Sequence, residues 1–137
     1  MSQTKEQRRL LRLADGFNRK AARLGIAGVV TALELHRLPR VCPYCGIGLE
    51  EGQGTFDHTI PFANGGENRI ANITRCCLTC NREKFDKTPQ ELEEYRNLRV
   101  QCALPGCDKV YQPRWAEWKA GRARYCSLSH AAKSRFV

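Results

Sequence analysis

No stretch of this chain stays uncharged for long enough to cross a membrane. The longest uncharged run, Leu24 to Leu33, is ten residues, whereas a spanning helix needs ~20. The first nine residues carry Lys5, Arg8 and Arg9 and lack the apolar run of a secretion signal. The expected setting is therefore a reducing cytoplasm, in which paired cysteines read as metal ligands before disulfides. There is also no low-complexity tract and no long linker. The chain's 137 residues are too few for a large enzyme core and suit one domain or two small ones. Modules below roughly 70–80 residues seldom hold together on apolar burial alone. Eight cysteines indicate that metal supplies the rest.

Acidic residues are scarce at both ends. Residues 1–40 hold nine Lys/Arg against three Asp/Glu, residues 41–100 seven against nine, and residues 101–137 seven against two. Two basic flanks thus enclose a slightly acidic centre, a distribution suited to a polyanion such as nucleic acid. The same boundaries serve as expected divisions: a basic helical region (1–40), a central domain (41–100) and a C-terminal module (101–137).

In the first region Leu10, Leu13, Ala14, Phe17, Ala21 and Leu24 recur with helical period and form one apolar stripe. Lys5, Arg8, Arg9, Arg12, Arg19, Lys20 and Arg23 fall opposite. A solvated face usually mixes signs, so Arg8, Arg9, Arg12, Arg19, Lys20 and Arg23 are candidate phosphate contacts. Gly25 and Gly28 end this helix. Thr31-Ala32-Leu33-Glu34 is a capping box that starts a second, ending before Pro39. In the centre, Thr55–Ile60 is strand-prone, 61–72 reads as a loop, Ile73–Cys76 as a second strand, and Cys80 to Phe85 as a helix. Thr88-Pro89-Gln90-Glu91 caps a further helix to about Leu98.

Cys42-x-x-Cys45 and Cys77-x-x-Cys80 are two knuckles whose four sulfurs complete a tetrahedral zinc site. Cys76 breaks that spacing and reads as a buried strand residue. Cys102-x4-Cys107 with Cys126-x3-His130 offers a second, looser set of four ligands. Tyr111, Trp115, Trp118 and Tyr125 are candidates for a small core around it.

Between the first knuckles lies Asp57-His58, then Pro61, Gly65-Gly66, Asn72, and finally Cys77-x-x-Cys80-Asn81-x-x-Lys84. This ordered set resembles the HNH endonuclease family over roughly residues 41–87, with Asn81 where many members carry histidine. The resemblance implies a small α+β, ββα-metal (HNH, His-Me finger) core: a hairpin, a long loop between its strands, and a helix facing them. It implies metal-dependent hydrolysis of DNA, leaving 5′-phosphate and 3′-hydroxyl ends. His58 would be the general base, since a neutral imidazole suits that role near pH 7. Asp57 and Asn81 would hold Mg²⁺ or another divalent cation through hard oxygens. Asn72 would pin the loop and orient the histidine through its backbone. Neighbours on a strand face opposite ways, so a bulge is one route for Asp57 and His58 to share a cleft. Lys84, Arg82 and Lys87 are candidates for DNA phosphates.

The tail resembles small zinc modules of phage and mobile-element proteins, with His130 where cysteine is usual. Arg114, Lys119, Arg122, Arg124, Lys133 and Arg135 make it basic. A DNA-binding accessory is the first reading of it, and a protein-docking module the competing one. The expected whole is a zinc-stabilised, Mg²⁺-dependent endonuclease on double-stranded DNA. The alternatives are a non-catalytic zinc DNA-binding protein, or a phage packaging accessory whose nuclease acts only beside a partner.

Overall fold

A computed structural model describes residues 2–136. The chain divides into two compact units, one through Leu92 and one from Glu93.

The first unit is organised by a two-stranded antiparallel hairpin. It pairs β1 (Thr55–His58) with β2 (Ile73–Cys76) in unbroken register, Thr55 opposite Cys76 and His58 opposite Ile73. No bulge interrupts it. Side chains therefore sort by strand alternation alone. Phe56 and Ile73 turn to one face and enter a core with Leu10, Ala14, Val30 and Leu35. That core is covered by α1 (Lys5–Leu24), capped by Thr4 and stopped by Gly25 in the left-handed conformation, and by the short α2 (Ala32–Arg37). The expected α1 stripe holds for Leu10, Ala14 and Ala21, which are buried, and for Leu13 and Phe17, which pack on the core. Leu24 departs from it and is 52% exposed, because Gly25 ends the helix at that point.

The opposite hairpin face, carrying Thr55, Asp57 and Cys76, meets α3 (Leu78–Lys84) and the first knuckle. Cys42, Cys76 and Cys80 are buried together there. α3 begins two residues earlier than the sequence suggested, because the Cys77 sulfur accepts from the Cys80 N–H and caps it. The loop between the strands is ordered by two 3-10 turns, Phe62–Asn64 and Ile70–Asn72. The Thr88–Glu91 capping box forms and starts α4 (Pro89–Asn97).

In the second unit β3 (Val100–Gln101) pairs with β4 (Val110–Tyr111). Two short helices follow, α5 (Trp115–Lys119) and α6 (Leu128–Lys133). The aromatic core expected here is not the centre of this unit. Trp118 is exposed and Tyr111, Trp115 and Tyr125 are only half-buried. The buried positions are instead Leu98, Cys102 and Pro113, so the cysteine cluster occupies the place of a core. No helix among the described residues is long and apolar enough to cross a membrane.

Candidate active site

A cleft of about 350 Å³ opens at the end of β1, lined by Asp57 and His58 together with Lys20 and Leu24 of α1, Phe62 of the loop and Phe85 beyond α3. The two motif neighbours reach it from opposite faces of the hairpin. Their surroundings differ accordingly.

His58 lies on the α1 side. Its ring is 4.8 Å from that of Phe17 and 4.4 Å from that of Phe62. Its Nε2 is 2.9 Å from Asn68 Oδ1, and the surrounding bonds decide which nitrogen carries the proton. The Val30 N–H donates to Asn18 Oδ1, and Asn18 Nδ2 donates to the Val30 carbonyl. A backbone amide thus fixes which end of Asn18 is oxygen. Asn68 Nδ2 then faces two acceptors, Asn18 Oδ1 at 2.9 Å and the Gly28 carbonyl at 3.3 Å. Asn68 must turn its oxygen to His58, so His58 Nε2 is the donor and Nδ1 keeps a free lone pair. Burial, first of all, holds the imidazole below its ordinary value of 6.5. Lys20 and Lys84 add to this, against partial offsets from the Asn68 bond and Asp57. The result is a neutral imidazole with one basic nitrogen, as a general base requires.

The support is tightly packed. Asn68 is fully buried. A Cβ on Gly28, where φ is +106°, would overlap the Asn68 carbonyl oxygen. Asn72 has a different task. Its Oδ1 accepts from the Ile60 N–H at 2.8 Å, and its Nδ2 donates to the carbonyls of Ile60 and Glu67. It therefore clasps the two ends of the loop rather than entering the cleft. Gly66 permits this closure, since a Cβ there would overlap the Ile60 carbonyl.

Asp57 lies on the α3 side and is 9% exposed. Its Oδ2 receives both the Lys84 ammonium at 2.9 Å and the Tyr44 hydroxyl at 2.9 Å. Burial, reinforced by the Asp57 charge and hydrogen bond, pushes the Tyr44 phenol well up and keeps it a donor. Lys84 also donates to the His58 carbonyl at 3.1 Å. Its expected role at DNA phosphates does not hold, because the side chain is fully buried. Lys84 falls one helical turn after buried Cys80, on the same inward face. Lys87 is likewise buried and donates to the Glu83 carbonyl, leaving Arg82 as the exposed cation of the three. Arg9 is only half-exposed. It is held by Glu6 and by the Gly54 carbonyl at 2.6 Å. Arg8, Arg12, Arg19, Lys20 and Arg23 on α1 are exposed, as are Arg114, Lys119, Arg122 and Arg124 of the second unit. Arg19 pairs with Asp15 and Arg122 with Glu117.

Asn81 sits half-buried on α3, the helix packed on β1. Asp57 carries a carboxylate and Asn81 an amide, the oxygen chemistry that Mg²⁺ takes, but of the two only Asp57 lines the cleft. Both Asp57 contacts fall on Oδ2.

Two cysteine clusters fit zinc. Ligand atoms of Cys42, Cys45, Cys77 and Cys80 lie within 4.8 Å of one another, as do those of Cys102, Cys107, Cys126 and His130. Two sulfurs each ~2.3 Å from a common tetrahedral ion stand about 3.8 Å apart. Cys45 and Cys77 are 3.8 Å apart and Cys107 and Cys126 4.0 Å, far from the ~2.05 Å of a disulfide. His130 Nδ1 stands 3.3 Å from Cys126 Sγ and 3.6 Å from Cys102 Sγ. Burial raises the Cys42 thiol, but backbone donors at Cys77, Tyr44 and Cys45 outweigh it and bring the group to about 7. The same opposition brings Cys102 to about 6, through the N–H groups of Cys126 and Leu104 and the His130 side chain. Cys76, by contrast, is pushed up to about 12, chiefly by burial, and stays a thiol in the strand.

Residues 42–96 match the family model of the HNH endonuclease. No curated protein and no solved structure matches the chain. The HNH segment contains the first cysteine cluster, the hairpin, α3, Asp57, His58, Asn72 and Asn81. It leaves out α1 and Gly28, although Phe17, Asn18 and Val30 complete the setting of His58. Sequence reading passed over Asn18 and Asn68. Their meeting spans 50 positions, and a lone asparagine carries no period or spacing to betray it. Lys84 had a legible signal in its i, i+4 relation to Cys80.

Proposed function

We propose that this protein is a metal-dependent endonuclease that hydrolyses phosphodiester bonds of double-stranded DNA, with His58 Nδ1 as the general base. The observation that carries the reading is the bond sequence Val30–Asn18–Asn68–His58, which leaves one unprotonated nitrogen on a histidine that lines a cleft together with Asp57. A DNA-binding protein without chemistry has no use for a buried relay that sets a histidine tautomer.

The HNH match, the hairpin with α3 against β1, and the oxygen donors of Asp57 and Asn81 support a ββα-metal arrangement in this segment. Mg²⁺ or another divalent cation held by Asp57 and Asn81 would supply positive charge at the scissile phosphate. His58 Nδ1 takes the proton of the attacking water. Phe17 meets the ring edge-to-face and Phe62 at a tilt, so both brace it. Lys84 neutralises Asp57 from below and ties the His58 carbonyl to α3, so base and carboxylate move as one body. Lys20, at the cleft wall, offers a cation to an incoming phosphate. The exposed arginines of α1 supply further phosphate contacts that orient the duplex without reading its sequence. Zinc at both cysteine clusters would be structural, because each offers four protein ligands and leaves no open position.

The test is nicking of supercoiled plasmid by zinc-replete protein with added Mg²⁺. The expected products are open-circle and linear DNA with 5′-phosphate and 3′-hydroxyl ends, lost when Mg²⁺ is withheld. Intact plasmid at every divalent ion tried, with DNA still bound, would replace this reading with the binding-only alternative. Elemental analysis after dialysis should give close to two zinc ions per chain, falling to one on Cys102→Ser with Cys126→Ser.

A further inference from the structure

Phe85 is the only non-glycine residue with a positive φ among the described residues. Its φ of 49° and ψ of −110° are those of the first central residue of a type II′ turn, a place dominated by glycine. The turn is complete: the Lys87 N–H donates to the Lys84 carbonyl at 2.8 Å, and the Phe85 N–H still donates to Asn81 at 2.9 Å. A bulky residue is strained in this conformation. The strain is not offset by packing, since the Phe85 side chain is 76% exposed. An aromatic ring is thus held out to solvent, on a backbone that disfavours it, at the rim of the cleft that contains Asp57 and His58.

The ring is also rigidly indexed to the chemistry. It follows directly on α3, which carries Asn81, and on Lys84, whose ammonium is locked to Asp57. Asp86 stands next to it on the same rim. A carboxylate there repels a phosphate, so this rim suits the uncharged face of a nucleobase. The exposed cations lie elsewhere, Lys20 on the α1 wall of the cleft and Arg82 on α3.

We propose that Phe85 is a base-stacking residue: its ring packs against an unstacked nucleobase flanking the bond that is cut, and so opens the duplex at the cleft. The inference rests on the endonuclease reading and adds the local state of the DNA to it. Stacking of one base on an aromatic side chain corresponds to a change of about 5- to 150-fold in affinity. A ring with two torsions, pinned by a closed turn, loses little freedom on stacking.

The test uses the full zinc-loaded chain carrying His58→Ala, so that DNA is bound and not consumed. A short duplex carries 2-aminopurine beside the mapped cleavage position. The chain with Phe85 should bind it with a rise in fluorescence, as the base leaves the stack. Phe85→Ala and Phe85→Gly should both weaken binding by about 5- to 150-fold and abolish the rise, whereas Phe85→Trp keeps both. Phe85→Gly should also melt several degrees above Phe85→Ala, because both lose the ring and only glycine relieves the turn. With His58 restored, each Phe85 variant should still cut at raised protein concentration. Native affinity and native fluorescence in Phe85→Gly, in a protein that does bind and cut DNA, would overturn the stacking role and leave the endonuclease reading intact. A chain that neither binds nor cuts DNA would overturn both.

Discussion

The two faces of the β1–β2 hairpin treat adjacent residues in opposite ways. On the α1 face His58 sits among Phe17, Phe62 and neutral amides, so its proton is placed by hydrogen bonds and its charge is discouraged by burial. On the α3 face Asp57 sits against Lys84 and Tyr44, so its charge is matched by a buried cation. The difference shows that strand alternation can give two adjacent side chains opposite surroundings, an apolar one for the imidazole and a charge-matched one for the carboxylate. It also explains the absence of a bulge. The cleft lies at the end of the strand, where both faces are in reach.

The comparison can be broken most severely from the α1 side. His58→Ala should lower cleavage by ~10²–10⁴, with far-ultraviolet circular dichroism and zinc content unchanged. Near-native cutting by this variant would remove His58 from the mechanism. From the α3 side, Lys84→Met leaves a buried carboxylate without its cation. Loss of one partner from such a pair costs about 3–5 kcal/mol, which thermal or urea unfolding should register. Lys84→Met with Asp57→Asn should recover most of that stability and none of the cutting. If the two changes simply add, the ion pair is not the coupling between them.

Asn68→Ala should be milder. Loss of an outer partner that orients a reactive imidazole is expected to lower the rate by roughly 10- to 100-fold, in kcat rather than KM, because no phosphate contact is removed. The smallest effect concerns pH. The base must be neutral to act, and burial sets its folded-state pKa below 6.5. Cleavage should therefore be at plateau at pH 7 and fall as pH drops through a midpoint below 6.5. A midpoint above that value would mean that a cationic partner form is favoured and that the apolar face does not govern the ring.

Much of this was legible in the residues. The capping boxes at Thr31 and Thr88 are local, and each formed at its expected place. The Cys-x-x-Cys pairs announce metal ligation by spacing, and Asp57-His58 stands out only within its ordered set; the structure brings the first cysteine quartet together and sets the dipeptide at a cleft. What stayed hidden depends on distant contacts. Arg9 looks like a free cation until the Gly54 carbonyl captures it. Asn18 looks like a helix polar residue and Asn68 like a loop one until Gly28, close against the Asn68 carbonyl, lets their side chains meet. Phe85 gives no local hint, since nothing in its neighbours announces a glycine turn without the glycine.

The most direct measurement is a long-range proton–nitrogen correlation spectrum of the His58 imidazole in the native, zinc-loaded protein at pH 7. The expected pattern is a neutral ring with the proton on Nε2 and an unprotonated Nδ1, converting to a mixture of tautomers in Asn68→Ala. A proton on Nδ1, or a cationic ring at that pH, would contradict the relay from Val30 to His58 and with it the assignment of the general base.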